Sequence, residues 1–313
     1  MEYRNLGMSG LKVSAVGLGC NNFAMKCDAE ATNAIVNRAL DEGVTLFDTA
    51  DIYGNRGGSE ELLGKALGKR RREVVVASKF GMSMGEGPYL HGASRRYVMA
   101  AAEDSLRRLN TDYIDLYQLH TPDLETPQEE TLEALGDLVH AGKVRYLGCS
   151  NFAAWQLAEA AGISRARGLP AYVSAQNEYS LLERHIEREL IPACRHLGVG
   201  ILPYFPLASG FLTGKYRRGA EPPKGTRMAL LERVAKRTLT EPNFDLLEKL
   251  ENFARERGHT LLELAVGWLV SEPQNSSVIC GATTPEQLSQ NVKAGEWRLS
   301  AEELDEVAKL TNR

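Results

Sequence analysis

The chain has 313 residues, 43% apolar, 25% charged and 7% aromatic, which is ordinary globular composition and enough to bury a large core. A net charge of −4 and a pI of about 6.0 give no basic excess to favour nucleic acid or an anionic membrane as the main partner. Five cysteines, Cys20, Cys27, Cys149, Cys194 and Cys280, form no CxxC pair or disulfide framework, so the expectation is a reducing, cytoplasmic setting.

The N-terminus carries no basic segment followed by a long apolar core, and therefore reads without a signal peptide. Residues 3–6 and 11–13, around Gly7 and Gly10, predict a hairpin that could plug one end of a barrel. Short β-branched or apolar runs then recur at 14–20, 45–49, 73–79, 113–120, 144–150, 173–178, 200–204 and 277–281. Helical periodicity follows each of them.

The helix starts and stops are chemically marked. The segment 28–42 is followed by Gly43, and Ser59-Glu60-Glu61 offers a cap and two acids to unpaired backbone N–H groups. Thr126-Pro127-Gln128-Glu129 reads as a capping box with proline at the first helical position, before leucines 132, 135 and 138. Thr260 and Glu263 repeat the box, and a last helix runs over 301–310. The uncharged run 197–214 is long enough for a membrane helix, but two prolines and four glycines argue for a strand entering a loop.

Eight strand-then-helix alternations in this length predict a single-domain α/β chain, a (β/α)8 TIM barrel with an N-terminal β-hairpin plug and a C-terminal helical segment. A doubly wound open sheet is the alternative. Long connections at 81–94 and 206–242 are expected to shape a ligand site.

In a parallel barrel the chemistry sits at the C-terminal strand ends. Four ionisable groups of different character stand there: Asp48, Tyr53, Lys79 and His120. An acid at the end of a buried strand needs a cation, and Lys79 is the one at hand. Its ammonium would bias Tyr53 towards giving up a proton, while His120 orients a carbonyl oxygen. Such a set suits protonation of an oxyanion or deprotonation of an alcohol. No nucleophilic Ser or Cys and no metal-ligand cluster accompanies it.

Together FDTADIYG, VVVASKFG, SLRRLNTDYIDLYQLH, GCSNF, AQNEYS, PLASGFLTGKY and GATTPEQLSQNV, in this order over nearly the whole chain, resemble the aldo-keto reductase family. The resemblance implies that Asp48, Tyr53, Lys79 and His120 are the catalytic tetrad of an NADP-dependent oxidoreductase reducing aldehydes or ketones, or running in reverse, with Tyr53 as general acid. It implies a nicotinamide cofactor bound without a GxGxxG loop. Ser150, Asn151 and Gln176 match the carboxamide-binding positions, and Tyr204 the aromatic that stacks on the ring.

The segment from Pro206 and Leu207 through Gly210 to Lys215 offers small residues for phosphates. From Lys215 to Arg237 there are eight Lys or Arg against two acids, with Lys215 and one of Arg217 or Arg218 expected to face the cofactor. Where many members of the family have Lys before Ser and an Arg six residues on, this chain has Gly281, Ala282 and Gln287. Thr283, Gln287 and the basic loop nevertheless favour NADPH, with NADH left open, and Gln290 and Asn291 match adenine-side positions.

Asn21, Asn22, Phe23, Ile52, Phe80, Tyr89 and Phe152, beside His120, are the expected lining for a small-molecule carbonyl or alcohol substrate. The alternative is a cofactor-binding regulatory or scaffold subunit of the same fold, resembling channel β-subunits. No nucleic-acid or membrane partner is expected.

Overall fold

A computed structural model describes residues 1–311. The chain opens with an antiparallel hairpin, β1 (Tyr3–Asn5) and β2 (Lys12–Ser14), in which Tyr3 pairs with Ser14 and Asn5 with Lys12. Eight parallel strands follow, β3 (Val16–Gly19), β4 (Leu46–Asp48), β5 (Val75–Phe80), β6 (Ile114–Leu119), β7 (Val144–Ser150), β8 (Tyr172–Gln176), β9 (Gly200–Ile201) and β10 (Val278–Gly281). Each pairs with its sequence neighbour, and β10 pairs back onto β3.

The last seam, between β9 and β10, closes through hydrogen bonds just beside the strands: Ser276 N–H to the Ile201 carbonyl and Ile279 N–H to the Pro203 carbonyl, both 2.9 Å. The sheet is therefore a (β/α)8 barrel, and all eight predicted strands are its staves.

Around it lie α1 (Ala29–Asp41), α2 (Tyr53–Leu67), α3 (Arg95–Leu109), α4 (Gln128–His140), α5 (Ala154–Arg167), α6 (Leu190–Leu197), α7 (Arg227–Leu230), α8 (Glu232–Thr238), α9 (Glu241–Glu256), α10 (Leu261–Ser271), α11 (Pro285–Ala294) and α12 (Ala301–Thr311). The barrel interior is filled at its N-terminal end by Leu46, Val75, Ala77, Leu116, Leu202 and Ile279, with Leu6 and Val13 of the hairpin packed against them. The hairpin is a plug, as its two apolar residues on one face require.

Because strand side chains alternate between faces, the inward parity that buries Leu46, Ala77, Leu116 and Leu202 also turns Asp48, Lys79, Gln118, His120 and Tyr204 towards the barrel axis, one or two steps nearer the C-terminal end. The same parity sends Phe80 outward, where it stacks on Tyr117 at 4.7 Å.

Some helix starts differ from expectation. Thr260 and Glu263 do form a reciprocal capping box on α10. At α4, however, Thr126 donates its hydroxyl to Asp123 (2.7 Å) and the cap position falls on Pro127, which has no side-chain oxygen to offer. Ser59 caps nothing either. Its hydroxyl bonds the Cys20 carbonyl and pairs with Thr49, tying α2 to the ends of β3 and β4.

The connection 206–242 is not structureless: it contains a 3-10 turn at Ala208–Thr213 as well as α7 and α8. All five cysteines are buried and unpaired. Among the described residues, no helix is long and apolar enough to cross a membrane.

Candidate active site

The C-terminal mouth of the barrel opens into a cleft of about 940 Å³, ringed by the C-terminal ends of the eight parallel strands or the loops that follow them. Its floor is a chain of hydrogen bonds. Lys79, with no solvent exposure, spends its three ammonium protons on Asp48 Oδ2 (2.7 Å), the Thr49 carbonyl (2.9 Å) and the Tyr53 hydroxyl (3.4 Å). Asp48 Oδ1 accepts from the side-chain amides of Gln176 (2.8 Å) and Gln118 (3.3 Å). The acid at the strand end thus has one cation and two neutral donors, and the charge pair is desolvated together. Gln118, absent from the expected site, shares the inward parity of β6 with His120; that was the available signal.

His120 stands edge-on to Tyr53, ring centres 5.6 Å apart and planes at 84°. Burial and then the neighbouring Lys79 charge push its imidazole down to about 3, so it is neutral at physiological pH. Its Nδ1 is buried and has no hydrogen-bond partner among the described residues.

The Tyr53 phenol is pushed up, not down. Burial favours its neutral form by more than the Lys79 ammonium favours the phenolate, which corrects the expectation of an acidified tyrosine. Lys79 itself is raised although burial opposes its charge, because Asp48 and Tyr53 surround it. Tyr53 therefore keeps its proton, with the Lys79 ammonium 3.4 Å from its hydroxyl.

Beside the floor, Asn151 sits at a left-handed backbone angle, φ 61°, which bends the chain off β7 and turns its side chain into the mouth. Its amide donates to the His120 carbonyl (2.9 Å) and Ser150 Oγ (3.2 Å), and accepts from the Tyr204 hydroxyl (2.8 Å). Ser150 in turn donates to the Gln176 carbonyl (2.8 Å). Ser150, Asn151, Gln176 and Tyr204 form one connected wall.

Pro206, Leu207, Gly210, Lys215, Gly281, Thr283, Gln287, Gln290 and Asn291 all line the same cleft, as do Asn21 and Asn22. Phe23 and Phe152 do not. Phe23 is folded beneath the tight turn 22–27, and Phe152 packs edge-on against Tyr172 in the outer layer, so neither lines the mouth. Phe80 is likewise buried outside the barrel, and Tyr89 lies exposed under the Arg96 guanidinium.

The basic loop divides in two. Arg217 pairs with Glu251, and Arg218 with Glu241, Asp245 and Glu248; both face α9 and not the cleft. Four other cations, Lys26, Lys215, Lys224 and Arg227, line the mouth, where Asp48 is the sole acid among the described residues. None of the four has a carboxylate partner there within ion-pair distance among the described residues. Sequence reading missed Lys26, and counted Lys224 and Arg227 in the basic loop without placing them at the cleft, since nothing in their local pattern says which way they point.

A Cβ placed on Gly210, at φ 90°, would come within 3.0 Å of the Lys215 ammonium, so a glycine is what lets that cation fold back over the loop. Phe205, Ala208 and Ser209 also have positive φ, so the loop turns tightly, with the Ala208 and Gly210 N–H groups bonded to the Phe205 and Leu207 carbonyls. This is a polar, cation-rimmed cradle that fits a phosphate-bearing cofactor with a carboxamide head.

A model of the Aldo/keto reductase family matches residues 15–312. The chain belongs to the aldo/keto reductase family. Similar proteins include the "Probable voltage-gated potassium channel subunit beta" of Arabidopsis thaliana, 39% identical over 94% of this chain and 91% of that protein. The L-glyceraldehyde 3-phosphate reductase of Escherichia coli (strain K12) is 35% identical over 94% of this chain and 87% of its own. The versiconal hemiacetal acetate reductase of Aspergillus parasiticus is 34% identical over 97% and 95%. As a member of this family the chain is an oxidoreductase with the family's barrel, acting on small molecules.

Proposed function

We propose that this aldo/keto reductase reduces aldehydes or ketones with NADPH, and runs the alcohol oxidation in reverse, with Tyr53 as the general acid. The observation that carries the reading is the Asp48–Lys79–Tyr53 hydrogen-bond line ending beside a neutral His120 at the bottom of the cleft. When bound, a reduced nicotinamide supplies the hydride. Ser150, Asn151 and Gln176 would hold its carboxamide, and Tyr204 would pack on its ring.

The chain's own residues handle the proton. His120, uncharged and edge-on to Tyr53, orients the substrate oxygen without competing as an acid. The Tyr53 hydroxyl delivers its proton to that oxygen as negative charge develops there. The phenolate then left behind lies next to the Lys79 ammonium, which Asp48 holds in place, so the interaction is strongest after transfer begins. Asn21 and Asn22 give the open end of the mouth a polar lining.

NADPH is favoured over NADH by the unpaired cations Lys26, Lys215, Lys224 and Arg227 and by the N-terminus of α11 behind Thr283 and Gln287. The test is NADPH oxidation with 4-nitrobenzaldehyde, with NADH in parallel, in the wild type and in Tyr53→Phe. Turnover that drops by about 10²-fold or more in the variant, with cofactor affinity kept, is the expected result.

A second reading follows from the similarity to a channel β-subunit: the chain is a cofactor-binding regulatory or scaffold subunit whose chemistry is secondary. Tight NADPH binding with no turnover across a broad carbonyl panel would select it.

A further inference from the structure

Behind the catalytic floor, between the barrel and α2 and α3, lies a second buried polar cluster that the hydride chemistry does not use. Asp51 is 1% exposed and Glu60 has no exposure at all. One guanidinium, Arg108, serves both, and it is committed to Glu60 at 2.6 Å, with a further bond to Ser105. Glu60 also accepts from Ser78.

Asp51 has far less. Its Oδ2 receives the Tyr97 hydroxyl at 3.4 Å, the Ile52 N–H also bonds the carboxylate, and its Oδ1 has no hydrogen-bond partner among the described residues. Among the described residues the Tyr117 hydroxyl from β6 and Asp104 on α3 also face the cluster, and neither is a cation. Two buried acids with one base leave a surplus negative charge in a dry site, and the cluster is relieved by keeping one proton. The acid without an ion pair is the one that keeps it. Burial, reinforced by the Glu60 charge, accordingly pushes Asp51 up to about 7.

Asp51 sits inside the turn that presents the proton donor. The Tyr53 N–H bonds the Ala50 carbonyl (3.2 Å) and closes a four-residue turn around Asp51, whose own N–H bonds the Lys79 carbonyl (3.0 Å). The Tyr97 hydroxyl that reaches Asp51 also reaches the carbonyl of Met82, on the cleft wall, at 3.5 Å. We infer that Asp51 is a positioning residue for Tyr53: as a neutral acid it stays packed and holds the turn in register with Lys79, and as a carboxylate it pulls towards water and loosens the turn. The inference rests on the reading of Tyr53 as proton donor.

Two readouts test it. A single ionisation centred near 7 takes the neutral fraction from about nine-tenths at pH 6 to about one-tenth at pH 8. In the wild type, kcat for carbonyl reduction should fall by about tenfold over that range, whereas Asp51→Asn, which mimics the neutral acid, should stay within about twofold. The cofactor dissociation constant should follow pH alike in both. The second readout needs no turnover and no variant fold: isotope-edited infrared spectra of wild type carrying 13C-carboxyl aspartate should show a protonated carboxyl band lost with a midpoint near 7. Over the same range amide exchange in residues 50–57 should rise beyond its intrinsic pH dependence.

A protonated band already gone by pH 5, or kcat profiles of the same shape in both proteins, overturns the inference. If no carbonyl is reduced at any pH, the proposed function fails by itself, and the infrared and exchange titrations still decide whether Asp51 governs the turn.

Discussion

Lys79 offers the sharpest energetic test of the hydrogen-bonded floor of the cleft. Replacing it with Met keeps a straight side chain of similar volume but removes all three donor contacts, to Asp48, Thr49 and Tyr53. The Asp48 carboxylate, 3% exposed, is then left with two neutral amides and no cation. Breaking a buried ion pair from one side costs about 3–5 kcal/mol, because the stranded charge keeps its desolvation penalty. Asp48→Asn strands the Lys79 ammonium and should cost a similar ~3–5 kcal/mol.

The double variant Asp48→Asn/Lys79→Met strands nothing: an amide faces two amides and a thioether. Its loss should fall short of the sum of the single losses by about 2–4 kcal/mol, and that difference is the coupling of the pair. Urea unfolding followed by far-UV circular dichroism at pH 7, on the wild type and all three variants, measures it. Single losses below about 1 kcal/mol, or a double loss equal to their sum, would refute a desolvated, mutually dependent pair.

The two halves of the basic loop should separate in a binding experiment. Lys215→Ala should weaken NADPH binding by about tenfold, roughly 1.4 kcal/mol, whereas Arg218→Ala, already neutralised by α9, should leave it unchanged when followed by titration calorimetry. Equal losses would mean that the division is wrong. His120 predicts an acid sensitivity. Held at about 3, it stays neutral in the folded protein while the unfolded chain protonates below about 6.5, so stability is full above that pH and declines as pH falls towards 3. The whole effect is at most about 5 kcal/mol, and the urea midpoint of His120→Asn should fall less steeply between pH 7 and 4 than that of the wild type; parallel declines would count against it.

What the amino-acid sequence determined alone is what depends on local order. Strand ends, their spacing and the glycine and capping signals mark eight strand–helix units, and from those the four residues Asp48, Tyr53, Lys79 and His120 could be placed on one rim. Period-two alternation does not need the partner strands to say that Lys79 and Phe80 face opposite ways, which puts Phe80 outside the barrel against Tyr117.

The rest was decided by contacts between residues far apart in the chain. Whether a lysine or arginine in a long loop turns to the cleft or to a helix depends on where acids such as Glu241, Asp245 and Glu248 end up, so Arg218 and Lys215 could not be told apart by composition. Phe23 and Phe152 are strand-end aromatics whose exposure is settled by the turn beneath or the ring beside them. The direction in which Tyr53 is shifted is a balance of burial against the charge of Lys79, and burial exists only in the folded barrel. Asp51, two residues from Tyr53, is an ordinary acid in the sequence; only its burial, beside Glu60 and with Arg108 already taken, pushes its carboxyl up to about 7.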